Sequence, residues 1–354
     1  MPIAVVGGGP CGILTATLLA SKGKSVTLFQ KGELGGSHRV DWVGKYLTEH
    51  GPRVYTSAYV NYINILRYFD INFYDYYSKG QSNRGMYGSY VNVIKQSPLN
   101  IREVLILLKY YIKHLINPSA CKNISMDHVV ESFRESSKVY IDQMCKVLDG
   151  SSLKRFNCWS FFSVVSTLQS FYHTSTPADK LWKKILKKFK FWEGEIIPEN
   201  IHKLIDFGVQ TEGGTNWYFE KVILCTPPLA TYQIMRNSSV LLRDAIMPIN
   251  EFASYAAQSS YTPWISFSIY FDRHVKYDKS KGGKELSLDG KEWAIISLVL
   301  SEYMKTPGTI ITACTSDLEK VSDTGLKAND IDNSDKLLKE ASRQVLKRYG
   351  IIDE

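Results

Sequence analysis

The sequence has few cysteines, and they are not arranged in pairs. The six cysteines among 354 residues are scattered, with neither a C-x-x-C pair nor histidine partners at metal-ligand spacing. Such spacing excludes the usual zinc motifs and a disulfide framework. We therefore expect reduced thiols and no metal site.

Long hydrophobic runs are also lacking. No stretch reaches the roughly 18 uncharged apolar residues that span a bilayer. The chain opens with an apolar strand rather than with the charged start of a signal peptide. Hydrophobic residues make up 44% and charged residues 22% of the chain, which is a globular composition and excludes extensive disorder. The expected compartment is the cytoplasm.

Charge of one sign is concentrated in a single segment. The formal net charge is +8, and six lysines fall between Lys180 and Lys190. Apolar residues such as Leu181, Trp182 and Phe189 recur there at helical spacing, which predicts a helix with one apolar stripe and a cationic back. Because the basicity is local, no nucleic-acid partner is expected. The lysines are expected to form a solvated face, with a membrane-surface contact or an acidic partner as the alternative.

A glycine-rich turn stands at the start of the chain. The apolar run from Ile3 to Val6 leads into Gly7-Gly8-Gly9-Pro10-Cys11-Gly12, a G-x-G-x-x-G motif. Gly7 permits a tight turn, Gly9 lets a pyrophosphate approach the backbone, and Gly12 lets the next helix pack closely. A helix that stops near Gly23 and a strand from Ser25 to Phe29 complete a βαβ unit. The turn therefore predicts a dinucleotide-binding domain whose helix N-terminus faces phosphates.

The residue after the second strand departs from the usual pattern. An acidic residue normally stands there and binds the ribose hydroxyls, whereas this chain has Gln30 followed by Lys31. A glutamine can still hydrogen-bond a hydroxyl as a neutral substitute. Gln30 and Lys31 are both expected to contact the cofactor. Cys11, within the turn, is expected to be a small residue that leaves room for the phosphate.

A second glycine motif separates FAD from NAD. Soon after the second strand comes Leu34-Gly35-Gly36-Ser37-His38-Arg39. This arrangement resembles the superfamily of FAD-dependent amine oxidases, phytoene desaturases and protoporphyrinogen oxidases, whose glycine doublet lies under the cofactor. The resemblance implies FAD as the cofactor and contacts at Gly35, Gly36, Ser37 and Arg39. Glu33 stands where the family commonly has a basic residue.

Later segments extend the resemblance. The stretch Glu49-His50-Gly51-Pro52-Arg53 resembles the segment that crosses the flavin ring in desaturases and, more loosely, in UDP-galactopyranose mutases. Ile201 matches a residue that touches the adenosine side, and the strand before Pro227 and Pro228 is a family mark. The resemblance thus implies cofactor contacts at Gly51, Pro52, Arg53 and Ile201. A simple turn in which Arg53 bonds Glu49 is the alternative.

The predicted fold is α/β. A Rossmann-like FAD-binding domain, which is a parallel sheet with flanking helices, is interleaved with an α+β substrate domain. Residues 1–60 and 177–250 are assigned to the FAD-binding domain, residues 61–176 and 251–332 to the substrate domain, and residues 333–354 to a C-terminal helix. Strands within residues 263–271, 293–300 and 309–314 resemble the floor of the family's substrate cavity.

The inserted lobe is expected to be helical. Its clearest segments are residues 101–116 and residues 126–148, the latter capped by Ser125 and ended by Gly150. The helix from Ile101 to Ile116 carries Lys109, Lys113 and His114 on an apolar background. It is therefore a second candidate, beside the lysine-rich helix, for a peripheral membrane contact.

Two family features are missing. Ser266 stands where many amine oxidases place a lysine near flavin N5, which favours dehydrogenation of a carbon skeleton over oxidation of an amine. The family's late segment that closes the FAD site has no counterpart after Cys314, which predicts either a fragment or an open flavin site. No catalytic triad or carboxylate pair can be assembled, so no catalytic residue is assigned.

The sequence predicts an FAD-dependent oxidoreductase. It would pass a hydride from a C–H bond of a small apolar or amine-like substrate to flavin N5. Two alternatives stay open: a scaffold without catalysis, like the GDP dissociation inhibitors, and a non-redox flavoenzyme like UDP-galactopyranose mutase. The intact glycine turn favours the enzyme, whereas Gln30 and the missing closing segment favour the scaffold.

Overall fold

Contacts divide the chain into two compact units. The computed structural model describes residues 2–49, 51–80, 97–149, 151–165, 171–258, 264–279, 287–288, 292–315 and 317–351. The first unit comprises residues 1–41, 61–76 and 176–261, and the second comprises residues 42–60, 77–175 and 262–354. The contacts thus group residues 42–60 with the second unit and residues 61–76 with the first, while the domain boundaries drawn from the sequence stay a prediction.

Both units contain helices and strands. The α-helices are α1 (Pro10–Ser21), α2 (Val60–Tyr68), α3 (Ile101–Ile116), α4 (Met126–Val129), α5 (Glu135–Asp149), α6 (Cys158–Val165), α7 (Ala178–Phe191), α8 (Pro228–Asn237), α9 (Val240–Arg243), α10 (Ile249–Gln258) and α11 (Ser334–Tyr349). The strands are β1 (Pro2–Val6), β2 (Ser25–Phe29), β3 (Val40–Val43), β4 (Tyr46–Glu49), β5 (Tyr55–Thr56), β6 (Tyr77–Lys79), β7 (Phe171–Thr174), β8 (Glu195–Ile197), β9 (Ile201–Ile205), β10 (Gly208–Thr211), β11 (Asn216–Tyr218), β12 (Lys221–Leu224), β13 (Ile265–Tyr270), β14 (Ser287–Leu288), β15 (Ile295–Val299) and β16 (Ile310–Thr315).

The first unit is built on a parallel sheet. Its strand order is β12-β1-β2-β8, and every pair is parallel. Val5 pairs with Leu28 on one side and Ile223 on the other. Val5 and Leu28 are fully buried, as expected of strands covered on both faces. The predicted Rossmann-like parallel sheet is confirmed.

Helix α1 links β1 to β2 and packs against both strands and α7. Pro10 occupies its first turn, where a missing N–H costs nothing. Gly23, with φ +72°, lies just beyond its end, and its N–H donates to the carbonyl of Ala20 at 2.9 Å. The βαβ unit predicted from the glycine turn is therefore confirmed, including both helix ends.

Helix α7 is the lysine-rich helix of the sequence. Leu181, Ile185 and Phe189 on its apolar stripe are buried, whereas Lys183 and Lys184 are exposed. The apolar stripe is thus buried within the first unit, and the lysines form the solvated face that the sequence predicts. A hairpin-connected antiparallel sheet, β11-β10-β9, completes this unit.

The second unit contains an antiparallel sheet with strand order β13-β16-β15-β14. This arrangement confirms the three strands expected over residues 263–314, of which Pro263 lies outside the described residues. Helix α11 packs Ala341, Val345 and Tyr349 into the same core as Trp293. The hydroxyl groups of Tyr349 and Ser297 lie 3.1 Å apart. The C-terminal helix is therefore part of this unit's core.

The helical region of the second unit corrects one prediction. The single helix expected over residues 126–148 is wrong, because α4 ends at Val129 and α5 begins at Glu135. Val130 and Phe133 point into the core between the two helices, and the N–H of Arg134 donates to the Glu103 carboxylate at 2.8 Å. Burial and this distant partner favour a turn there. Ser125 caps α4 as expected, and Gly150 lies outside the described residues.

Candidate cofactor site

The first glycine turn closes so tightly that two of its positions exclude any side chain. Gly7 has φ +108°, and a Cβ there would lie 2.8 Å from the carbonyl oxygen of Cys225. A Cβ on Gly12 would lie 1.7 Å from the carbonyl oxygen of Gly7. The turn is held by a 3.0 Å hydrogen bond from the Gly7 N–H to the carbonyl of Phe29. Helix α1 consequently starts directly above the end of β1.

Gly9 is different, because the side of its backbone that a Cβ would occupy is open. A Cβ on Gly9 would meet no atom within 4 Å. Its backbone, with φ −76° and ψ −179°, is ordinary extended backbone at the N-cap of α1. The free N–H groups of the first helical turn, including those of Cys11 and Gly12, carry partial positive charge. The space over Gly9 is therefore suited to an anion.

The glycine doublet lies against this turn. The N–H of Gly35 donates to the carbonyl of Gly8 at 2.8 Å, and a Cβ on Gly36 would lie 2.9 Å from the Cα of Gly9. The indole of Trp182 fixes the following residues by donating to the carbonyl of His38 at 3.1 Å. We call the group formed by residues 7–12, 35 and 36 the glycine cradle.

Ser37 and Arg39, also predicted as cofactor contacts, are exposed beyond the doublet. The Arg39 guanidinium lies 3.5 Å from the carboxylate of Asp41.

Gln30 is tied to the cradle from the end of β2. Its side-chain oxygen accepts a 2.7 Å hydrogen bond from the N–H of Gly8, and its own N–H donates to the carbonyl of Ile197 at 3.0 Å. The side chain is thus positioned by two strands and the turn. It stands where an acidic residue would stand in the usual motif.

A pocket of about 210 Å³ opens beside the cradle. It is bounded by the ends of β1 and β2, by β9 and by α8, and it brings Gln30 and Ile201 together as the sequence predicts. Its lining consists of Val6, Gly7, Phe29, Gln30, Glu199, Asn200, Ile201, His202, Glu212, Thr226, Ala230, Gln233, Ile234 and Asn237. Val6, Phe29 and Ile234 in this lining are buried, whereas Asn200, His202 and Glu212 are exposed at the rim. The pocket thus combines apolar surface with hydrogen-bonding groups, as small-molecule sites do.

The rim of this pocket is charged. The ammonium of Lys31 lies 3.0 Å from the Glu212 carboxylate, which also accepts a 3.3 Å hydrogen bond from the amide of Asn200. These hydrogen bonds, that of Lys31 first, lower the pKa of Glu212. Lys31, predicted as a cofactor contact, is therefore paired with Glu212.

The second predicted segment lies in the second unit, beside the antiparallel sheet. Gly51 has φ +83°, and a Cβ there would lie 3.1 Å from the Ser266 hydroxyl oxygen and 3.6 Å from the Cβ of Cys314. Pro52 follows, half-buried, and His50 lies outside the described residues. The two family positions Gly51 and Ser266, identified separately in the sequence, are thus neighbours.

His173, on β7, supports this segment. Its Nδ1 lies 3.2 Å from the carbonyl oxygen of Arg53, and its ring lies 4.8 Å from that of Tyr303. His173 is only 2% exposed. Burial lowers its pKa to about 4, although the bond to Arg53 opposes this shift. The ring is therefore neutral near pH 7, and its Nδ1–H donates to Arg53.

Comparisons with known proteins agree with this geometry. The family model of the NAD(P)-binding Rossmann-like domain matches residues 5–71. No curated protein matches the sequence. Among solved structures, putrescine oxidase with bound putrescine has 13% identity and a TM-score of 0.72, over 99% of this chain and 82% of that one.

Two further structures are similar along almost the whole chain. Protein PF1083 from Pyrococcus furiosus has 14% identity and a TM-score of 0.71, over 99% of this chain and 85% of that one. Cyclohexylamine oxidase from Brevibacterium oxydans has 10% identity and a TM-score of 0.68, over 98% and 81%. The chain shares its fold with these structures. At these identities the likeness concerns the fold alone.

The sequence does not indicate several residues of this site. Glu212 and Asn200 on the pocket rim follow weak strands that the sequence shows only as short apolar runs. His173 lies more than 100 residues from the Arg53 it supports. No local motif marks any of the three. A histidine within the short strand Phe171–Thr174 does, however, indicate a buried imidazole with a specific partner.

The described part of the chain contains no cluster of three or more metal-ligating side chains. Nor does any helix of the described residues have the length and apolar character needed to cross a membrane.

Proposed function

We propose that this chain is an FAD-dependent oxidoreductase that acts on a C–H bond of a small, apolar molecule. The observation that carries the proposal is the open space over Gly9 in a turn whose other glycines are packed to the limit. Folding of the turn does not require an open space at this position. A pyrophosphate would use it, because helix N-termini bind phosphates.

The residues of the first unit fit the adenosine and pyrophosphate portions of FAD. The pyrophosphate would lie over Gly9, at the N-terminus of α1. The ribose hydroxyls would meet the side chain of Gln30, already oriented by the N–H of Gly8. The adenine would enter the pocket of about 210 Å³ beside Ile201.

In the second unit, Gly51 and Arg53 are proposed to contact the flavin portion. Bound FAD would supply the hydride acceptor. The flavin is proposed to lie against the backbone from Gly51 to Arg53, and neutral His173 holds the carbonyl of Arg53 in place. Ser266 is proposed to leave the neighbouring position without a charge. Lacking a lysine there, the site favours dehydrogenation of a carbon skeleton over oxidation of an amine.

The same proposal assigns the protein to the cytoplasm. All six cysteines are free thiols, and free thiols are typical of a reducing compartment.

Reduction of the bound cofactor tests this function. The protein is incubated with FAD, desalted, and its flavin bands at about 375 and 450 nm are recorded without oxygen. We expect the long-wavelength band to bleach with apolar donors such as cyclohexanone-type or polyene substrates and to persist with putrescine and cyclohexylamine. Bleaching by the amines alone would contradict the assigned substrate class. A folded, colourless protein would contradict the enzyme and favour the scaffold.

A further inference from the structure

Two thiols meet beside the glycine cradle. The Sγ atoms of Cys11 and Cys225 lie 3.8 Å apart, although 214 positions separate them in the sequence. Cys11 is exposed in the first turn of α1, and Cys225 is half-buried directly after β12. The N–H of Cys225 donates to the carbonyl of Val6 at 2.8 Å. Cys225 is therefore held at the end of the parallel sheet, and Cys11 lies at the start of the helix that follows β1.

This pair differs from the other cysteines in its access to solvent. Cys121 and Cys158 are also neighbours, but both are 0% exposed. Cys145 and Cys314 are buried as well. A disulfide requires the two sulfurs to approach to about 2.05 Å, and side-chain rotation at an exposed helix start allows that movement. Among the six cysteines, Cys11 is thus the one that a dissolved oxidant reaches first.

We propose that Cys11 and Cys225 form a reversible disulfide at the glycine cradle when the protein meets hydrogen peroxide. The Cys11 sulfur attacks one peroxide oxygen, the O–O bond breaks, and a sulfenic acid and one water form. The Cys225 sulfur then attacks the sulfenic sulfur, and the second water leaves as the S–S bond forms. Two thiols lose two electrons in total, and one peroxide is reduced to two waters.

The two thiols have different roles in this sequence. Burial, and after it the neighbouring Cys11, raises the pKa of the Cys225 thiol to about 12. Cys225 therefore remains protonated and acts second, as the resolving thiol. Cys11 is the more exposed of the two thiols, so it meets the peroxide first.

One consequence rests on the proposed function. A pyrophosphate over Gly9 would cover the neighbouring Cys11. Bound FAD is then expected to slow the oxidation of Cys11, so that the disulfide forms mainly in the protein without cofactor.

Peptide mapping tests the disulfide without any cofactor. Reduced protein is treated with hydrogen peroxide, free thiols are alkylated, and tryptic peptides are analysed by mass spectrometry. We expect a linked Cys11–Cys225 peptide, a loss of about 2 Da, and reversal by dithiothreitol. In Cys225→Ser, dimedone should trap the sulfenic acid on Cys11, whereas the control Cys158→Ser should still form the link. Dimedone trapping on Cys11 of the unmutated protein without a linked peptide would overturn the proposal.

Repeating the reaction with saturating FAD separates the two ideas. Disulfide formation slowed several-fold supports shielding by the cofactor. Equal rates with and without FAD would overturn the shielding and the placement of the pyrophosphate, while the linked peptide would still establish the disulfide.

An independent observation concerns an apolar stripe on α3. At 100° per residue, six large apolar residues fall within about 100° of its circumference. These exposed residues are Ile101, Leu105, Leu108, Ile112, Leu115 and Ile116. Ile101 is 81% exposed and Ile116 is 80% exposed. The opposite face, with Ile106, Leu107 and Tyr110, packs against the helical core of the second unit.

The exposed charged residues of α3 are all positive. Arg102, Lys109 and Lys113 border the apolar stripe along one side. The helix has one acidic residue, Glu103, which is 2% exposed and hydrogen-bonded to Arg134 at 3.1 Å. An apolar stripe with a cationic border and no exposed carboxylate fits an interface whose headgroups are anionic.

We infer that α3 lies on an anionic lipid surface, with its apolar stripe in the interface and its cations on the headgroups. Sixteen residues of helix give a contact about 24 Å long. The lysine-rich helix α7 is a poorer candidate, because its apolar stripe is already buried within the first unit.

Vesicle co-sedimentation tests this surface. Unmutated protein should sediment with vesicles of phosphatidylcholine plus phosphatidylserine and much less with phosphatidylcholine alone. Leu108→Glu and, separately, Lys109→Glu with Lys113→Glu should weaken binding about tenfold. Leu241→Glu, at an exposed apolar residue of the first unit, is the control and should bind like the unmutated protein.

Circular dichroism would establish that these variants fold. Protein that stays in the supernatant with anionic vesicles would overturn the inference. So would a dimer that Leu108→Glu dissociates, because the occupant would then be a second copy of the chain.

Discussion

At the scale of single residues, Gln30 stands where the usual dinucleotide motif has an acidic residue that binds the ribose hydroxyls. Its side-chain oxygen already accepts from the N–H of Gly8, and a carboxylate in the same place could keep that bond. Gln30→Glu should therefore tighten FAD binding about tenfold, since hydrogen bonds from ribose hydroxyls to an anion are stronger than to an amide. Titration of FAD fluorescence measures the affinity, and Gln210→Glu on β10 is the control. Weaker binding in Gln30→Glu would contradict the assigned role.

Gly12 should be indispensable for folding. A Cβ there would lie 1.7 Å from the Gly7 carbonyl oxygen, so Gly12→Ala must displace α1 or the turn. We expect a loss of about 3 kcal/mol in the free energy of unfolding. Gly23→Ala is the matched control: its φ of +72° costs about 1 kcal/mol, but no neighbour lies within 4 Å. Urea denaturation compares the two, and equal losses would contradict the close approach.

His173 should make folding sensitive to acid. Its pKa is lowered from 6.5 to about 4 in the folded protein, so between these values the unfolded chain binds the extra proton. The stabilisation is complete above pH 6.5 and is lost as the pH falls through 4. When the pH is lowered from 7.5 to 4.5, the free energy of unfolding should fall in both proteins. The fall should be about 2 kcal/mol smaller in His173→Gln than in the unmutated protein. His128→Gln, at a largely exposed histidine, should show no such difference, and urea denaturation at both pH values decides.

Residues differ in how far the sequence predicts them. The spacing of the cradle glycines predicts their positions. A tight turn, the approach of a phosphate to the backbone and close helix packing each require a glycine at a fixed place in the motif. His173 and Glu212 do not follow, since their partners Arg53 and Lys31 are brought to them by tertiary contacts more than 100 residues away in sequence.

At the scale of elements, the start of α3 depends on one buried carboxylate. Glu103 and Asn100 form a capping box, and Glu103 also accepts from Arg134 and Ser137. Burial alone would raise the pKa of Glu103, but these hydrogen bonds outweigh it and lower the pKa to about 2.

Glu103→Gln should cost about 2 kcal/mol, because a cap and a buried charged hydrogen bond are both weakened. Thermal denaturation followed by circular dichroism measures it. Glu131→Gln, at an exposed carboxylate, is the control. A stability loss no larger than that of the control would contradict the account of this helix start.

Long periodic elements were predictable, and their interruptions were not. Helix α3 has the expected bounds, and α11 lies within the predicted residues 333–354, because the apolar periodicity of each continues over sixteen residues. The break between α4 and α5 depends on Glu103, 31 positions away from Arg134. Local propensity cannot indicate such a partner.

At the scale of the whole molecule, the order of motifs along the chain predicted the fold. A βαβ unit, an inserted helical region, a return to the parallel sheet and a final antiparallel sheet are found in that order. The assignment of residues 42–76 between the two units depends on packing. The hydrophobic periodicity of a segment is the same whichever unit it packs in, so the sequence alone does not assign these residues to a unit.

The central claim is that the space over Gly9 holds the pyrophosphate of FAD. The most direct test is the affinity for FAD, measured by fluorescence titration, of the unmutated protein and of Gly9→Val. A valine meets no neighbouring atom at its Cβ and needs no unusual φ, so the variant should fold normally. The control Ser25→Val adds similar bulk at the exposed, opposite end of β2. We expect tight FAD binding by the unmutated protein and the control, and a loss of at least about 100-fold in Gly9→Val. Equal affinity in a normally folded Gly9→Val, or no FAD binding by the unmutated protein, would contradict the account.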